Sequence, residues 1–259
     1  MKLRIVPART GIQWVKQGVQ TFFRQPVALS GLFLMFLATM SLLSALPIIG
    51  STLALILLPA ATLGLMAATK EAGAGKFPMP MVLFTAYKKG TPELRSMLIL
   101  GAIYATSFLL VLAATTLADG GQFAKMYLMG GTLNEEILQD DRFELAALIA
   151  VALYTPLSMS FWHAPALVHW HGVSPIKSLF FSMVACLRNF WAFTLFGLTW
   201  IVVFIALSMF VAAVVALLGT PQWVGAMMFP TAILMASMFF TSIFFTFNDC
   251  FETETEQTL

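Results

Sequence analysis

Along the chain, long uncharged apolar blocks alternate with short polar or charged segments. The blocks are Val27 to Thr69, Ser96 to Ala118, Leu145 to Phe161, Phe190 to Leu218 and Val224 to Phe247. Runs of roughly 18 or more such residues are long enough to cross the hydrocarbon core of a bilayer as a helix. The first block would be about 65 Å long as one straight helix, twice the core's thickness of about 30 Å. It must therefore turn, and Pro47-Ile48-Ile49-Gly50 in its middle supplies the turn. The pattern predicts an all-α integral membrane protein with six transmembrane helices, at about 27–46, 51–69, 96–118, 144–162, 191–218 and 223–247. These form one transmembrane domain over 1–259, with an acidic loop at 119–143 and an acidic tail at 248–259.

Composition agrees with a lipid environment. Of 259 residues, 59% are hydrophobic and 10% charged, against about 25% charged in soluble domains. The basic segment before residue 27 has no apolar run of its own, and the first hydrophobic block runs straight into a second span, so no cleaved leader is expected. Two cysteines, Cys186 and Cys250, are too few and too far apart for a disulfide framework or a zinc cluster, and are read as reduced thiols near the cytoplasmic face.

Charge then orients the spans. Twelve of the 14 Lys and Arg residues fall before the first span, between the second and third, or between the fourth and fifth. Six crossings put all three segments on one side, which the positive-inside rule makes cytoplasmic, with both termini inside. Loop 119–143, with Asp119, Glu135, Glu136, Asp140 and Asp141, and the Gly219–Gln222 link fall outside.

A repeat runs through this arrangement. Before the first span, Ile12, Val15, Val19 and Phe22 recur at helical spacing opposite Lys16, Gln17, Gln20 and Arg24. Before the fifth, Ile176, Leu179, Phe180, Met183 and Leu187 form an apolar stripe, with Lys177, Ser178, Ser182 and Arg188 polar. Pro80 to Lys89 is a shorter, poorer version. The chain reads as three hairpin units, each preceded by a cytoplasmic amphipathic helix. Interfacial anchors expected from this pattern are Trp14, Lys16, Arg24, Lys88, Lys89, Trp162, Trp170, Lys177 and Arg188.

The second span of each pair carries a proline, Pro59, Pro156 or Pro230, with Thr62, Thr155, Ser158 and Thr231 nearby. A functional reading has three bent helices lining a central cavity; the plainer one is that prolines are common in membrane spans. Small residues in rows, such as Gly101 and Ala105 or Ser208, Ala212 and Ala216, are read as close helix packing.

Every histidine lies in WHAPALVHWHG, Trp162 to Gly172. On a helix His163, His169 and His171 point apart, so interfacial packing beside Trp162 and Trp170 is preferred over a metal or haem site. No ionisable group occurs in the span cores, and no nucleotide loop, nucleophile elbow or metalloprotease pair occurs. Glu135, Glu136, Asp140 and Asp141 lack calcium-loop spacing and are read as a solvated loop helix.

The segments WHAPALVHWHGVSPIKSLFFSMVACLRNFWAF, GIQWVKQGVQTFFRQPVAL and LPIIGSTLALILLPAATLGLM resemble an uncharacterised family of six-span inner-membrane proteins of Gram-negative bacteria, over nearly the whole chain. Through the repeated helix and hairpin the chain is distantly similar to the membrane domains accompanying some bacterial glycerophosphodiesterases. The resemblance implies location and architecture, and transfers no activity to any residue. The expectation is a non-enzymatic inner-membrane protein without cofactor or metal, an accessory or lipid-interacting component. Its partners would be membrane lipids, other membrane proteins or a second copy of the chain, and no nucleic acid. The alternative is a transporter or channel for a small or amphiphilic solute, with Pro59, Thr62, Pro156, Ser158, Pro230 and Thr231 at the cavity.

Overall fold

The computed structural model describes residues 2–47, 49–87, 90–130, 137, 140–219 and 223–252. A short strand β1 (Lys2–Leu3) leads to α1 (Thr10–Arg24), α2 (Pro26–Ser44) and α3 (Gly50–Gly73). A 3-10 helix, Pro80–Tyr87, precedes α4 (Thr91–Asp119) and α5 (Gln122–Met129). Then follow α6 (Asp141–Phe161), α7 (Ala164–His171), α8 (Pro175–Arg188), α9 (Phe190–Leu217), α10 (Val224–Cys250) and β2 (Phe251–Glu252). In lipid, helices satisfy their own backbone groups, and six helical stretches among the described residues are long and apolar enough to cross a membrane. They are α2, α3, α4, the stretch from Asp141 to His171, α9 and α10.

The connections are made by local polar groups. α4 ends on Gly120 in a left-handed conformation, φ 67°, its N–H on the Thr116 carbonyl. Asp119 then accepts from the N–H groups of Gly121 and Phe123 at 2.8 and 2.6 Å, capping α5. Asp140 caps α6 by accepting from Arg142 N at 2.9 Å. These two carboxylates of the acidic loop therefore end and start helices. Glu135 and Glu136 lie outside the described residues.

Two compact units emerge from the packing. One gathers the described residues of Met1–Thr39, Ala61–Lys89 and Val184–Leu259; the other those of Met40–Ala60 and Gly90–Met183.

In the first unit α1 packs against α9 and α10. Its buried face is Thr10, Gly11, Trp14, Val15, Gly18, Thr21 and Phe22, while Ile12 is half exposed and Lys16, Gln17 and Gln20 face outward. The buried stripe is thus rotated from the predicted one, because two glycines and two threonines share it. At Gly18 a Cβ would run into Ser242 of α10, so the close approach requires glycine. Trp14 is fully buried between Phe193 and Phe196, with ring centroids at 5.2 and 6.0 Å, and its indole N–H donates to Asp249 at 2.8 Å. The ends of the described chain meet here: β1 and β2 pair antiparallel, Lys2 opposite Glu252 and Leu3 opposite Phe251. Asn189, buried, accepts from Val6 N at 2.8 Å and donates to the carbonyls of Arg4 and Ala185 at 3.1 Å. Cys186 and Cys250 are buried and not in a disulfide, and burial pushes Cys186 up to about 12.

In the second unit α4 packs along α6, with α5 against both and α7 against α4. Tyr104, Phe108 and Leu112 occupy one face of α4 at intervals of four residues and are buried together.

Candidate functional site

Three of the four tyrosines of the chain converge in the second unit, from three helices. Phe108 is their common neighbour: its ring lies 6.1 Å from Tyr104, 5.2 Å from Tyr127 on α5 and 5.9 Å from Tyr154 on α6. The Tyr104 and Tyr154 hydroxyls approach to 3.4 Å, a long hydrogen bond. Phe161 closes the cluster edge-on to Tyr104 at 4.9 Å. The helical interval of four builds the α4 part locally, and the Asp119 cap fixes α5, which delivers Tyr127.

Beside this cluster a groove of about 270 Å³ opens to the surroundings. Ser44, Ser51 and Tyr127 line it with hydroxyls, and Leu55, Leu58 and Phe108 with hydrocarbon. None of its lining residues carries a charge. Partial burial, then the neighbouring Tyr154, raises the pKa of Tyr127 above the usual phenol range, so its hydroxyl remains a donor at neutral pH. The arrangement can hold an uncharged, elongated apolar group with a hydrogen-bond acceptor at one end.

The residues singled out in the sequence are placed elsewhere. Pro59 is buried and Thr62 half-buried, and Pro156 and Pro230 are exposed. Ser158 and Thr231 are half-buried and donate to their own helices, at the Thr155 and Met227 carbonyls, 2.8 Å each. Thr155 donates to Val151 at 2.7 Å. The carbonyls freed by Pro156 and Pro230 belong to Ala152 and Ala226, each one residue away from the carbonyl to which Thr155 or Thr231 donates.

His163 and His169 are buried, 0% and 5% exposed, and His171 is half-buried. The first precedes α7, and the other two lie on it. The segment is packed against α4, so two of its histidines are interior rather than displayed on an aqueous rim. Trp162 and Trp170 are half-buried. Among the described residues no three His, Cys, Asp or Glu side chains gather as a metal site.

Of the expected anchors, Lys16, Arg24, Lys177 and Arg188 are exposed, Arg24 donating to the Gly73 carbonyl at 3.3 Å. Trp14 is enclosed and unavailable to headgroups, since its one polar atom is held by Asp249 inside the first unit. Lys88 and Lys89 lie outside the described residues. On α8 the apolar stripe faces outward and two of its polar residues face inward. Ser178 and Ser182 are fully buried, whereas Ile176, Phe180 and Leu187 are 74%, 63% and 55% exposed. Ser182 accepts from His163 N at 2.9 Å and donates to the Met159 carbonyl at 2.8 Å, which stitches the break between α6 and α7.

The tyrosine cluster escapes sequence reasoning because its members come from separate helices; only the spacing of Tyr104, Phe108 and Leu112 signals it. A curated relative, a probable inner membrane protein of Burkholderia thailandensis, is 39% identical over 254 residues, spanning 97% of this chain and 94% of the relative. No family profile matches the chain, and no solved structure matches it.

Proposed function

The chain belongs to the family of that inner membrane protein, and from this premise we propose that it is a non-enzymatic, lipid-interacting component of the inner membrane. It crosses the membrane several times. In the proposed arrangement three hairpins, α2 with α3, α4 with α6 and α9 with α10, are each led by an interfacial segment on the cytoplasmic side. Both termini lie on that side as well, beside the basic segments that contain 12 of the 14 Lys and Arg residues.

The observation that carries the lipid reading is the outward-facing apolar stripe of α8. A helix bordered by water would bury Ile176, Phe180 and Leu187, since each fully buried side chain of this size contributes about 2 kcal/mol. Here they are exposed beside Lys177 and Arg188, while two serines take the buried side. That surface matches the boundary between acyl chains and anionic headgroups. A basic residue near an anionic surface contributes about 1 kcal/mol, or about fivefold in affinity. Vesicles of phosphatidylethanolamine and phosphatidylglycerol test this. Lys177→Gln with Arg188→Gln is expected to lower retained phosphatidylglycerol relative to phosphatidylethanolamine by at least about fivefold. An unchanged ratio in the folded double variant would count against the proposal.

A further inference from the structure

We propose that the groove beside the tyrosine cluster holds one acyl chain of a phospholipid from the surrounding bilayer. The ester end lies at Ser44, Ser51 and Tyr127, and the chain runs past Phe108 toward Leu55 and Leu58. This rests on the lipid-interacting reading and adds a seated chain to headgroup contact at the helix surface.

The polarity of the groove is graded along α3. Ser51 is the second residue of that helix and Leu58 lies seven residues further in, about 10 Å along the axis. That distance is about two thirds of a leaflet, whose hydrocarbon depth is about 15 Å. Ser44 ends α2 and Tyr127 belongs to the short α5, so all three hydroxyls sit at helix ends or outside the spans. Ala54, Leu55 and Leu58 of α3 and Phe108 of α4 supply hydrocarbon from helix interiors, and Met40 and Leu128 add to it from α2 and α5. An ester has the same grading: carbonyl acceptors at the level of the glycerol, then methylene groups. Tyr127 is 59% exposed, whereas Phe108 at 6% forms part of a fixed wall. A charged solute finds no counter-charge among the lining residues, and a soluble polar one would meet Leu55, Leu58 and Phe108. The solvent of these helices is itself acyl chain: Leu110, Leu148 and Val151 of the same unit are 60% exposed or more on apolar spans. A chain entering the groove therefore needs no transfer from water.

Native mass spectrometry of the full-length protein, released from nanodiscs of phosphatidylethanolamine or of phosphatidylglycerol and then partly delipidated, reads the retained lipid directly. Ser51→Phe, which fills the groove, is expected to lose one retained lipid in both nanodisc types. Tyr127→Phe removes one hydroxyl and is expected to weaken retention about fivefold, and Leu217→Phe, at an exposed position, to leave it unchanged. Equal retention in wild type, Ser51→Phe and Tyr127→Phe would overturn the proposal. Should Ser51→Phe fail to fold, Tyr127→Phe decides alone. The effect is independent of headgroup charge, so it can fail while the Lys177 and Arg188 result stands, and the reverse.

Discussion

At the scale of single residues, the side chains most easily mistaken are amphipathic ones whose partners lie far away in the chain. Trp14 sits on a basic amphipathic helix before a span, which is the setting of an interfacial tryptophan. Its acceptor, Asp249, is 235 residues away. Ser182 misleads in the same manner, since a serine among charges suggests a solvated face until the break at His163 is seen to need both its donor and its acceptor. Burial makes such bonds consequential, because a buried group left without its partner retains its desolvation penalty. Trp14→Phe keeps most of the ring packing on Phe193 and Phe196 and removes the donor to a carboxylate. It is expected to destabilise the protein by about 2 kcal/mol, measured as earlier loss of helicity in a denaturing-detergent titration. A variant as stable as wild type would mean that the Asp249 contact contributes nothing.

At the scale of elements, the helices themselves were largely legible. Spans 27–46, 51–69, 96–118, 144–162, 191–218 and 223–247 overlie α2, α3, α4, α6, α9 and α10 to within a few residues, since uncharged runs in lipid have helix as their way of satisfying the backbone. Helix faces were less legible. Outward-facing positions in a membrane are apolar too, so periodicity alone does not tell inside from outside, and the burial of Ser178 and Ser182 on α8 is not legible from it. Small residues are better guides. Gly101, read from its spacing with Ala105 as a packing position, lies where a Cβ would run into the Ile56 backbone. Gly197 on α9 has open space around it. Gly101→Ala is therefore expected to destabilise by about 2 kcal/mol and Gly197→Ala to stay within about 0.5 kcal/mol of wild type, in the same titration. Similar values for the two would remove the close approach of α3 and α4 as the reason for glycine.

At the scale of the whole molecule, the sequence supports six crossings through block length and charge, and the structure adds an independent constraint. Hydrogen bonding of Lys2–Leu3 to Phe251–Glu252 places the two ends of the described chain side by side, which requires an even number of crossings. What sequence could not convey is how the chain is gathered: the two compact units draw on discontinuous segments. The tyrosine groove is a product of that long-range gathering, and no local spacing could have assembled it. The central claim is that apolar blocks traverse the bilayer an even number of times with the basic segments inside. Single cysteines placed at Lys2 and Glu252, in a chain with Cys186 and Cys250 replaced by alanine, can be labelled in intact cells with a membrane-impermeant maleimide. The account predicts that both stay unlabelled until the inner membrane is permeabilised; labelling of one end and not the other in intact cells would contradict it.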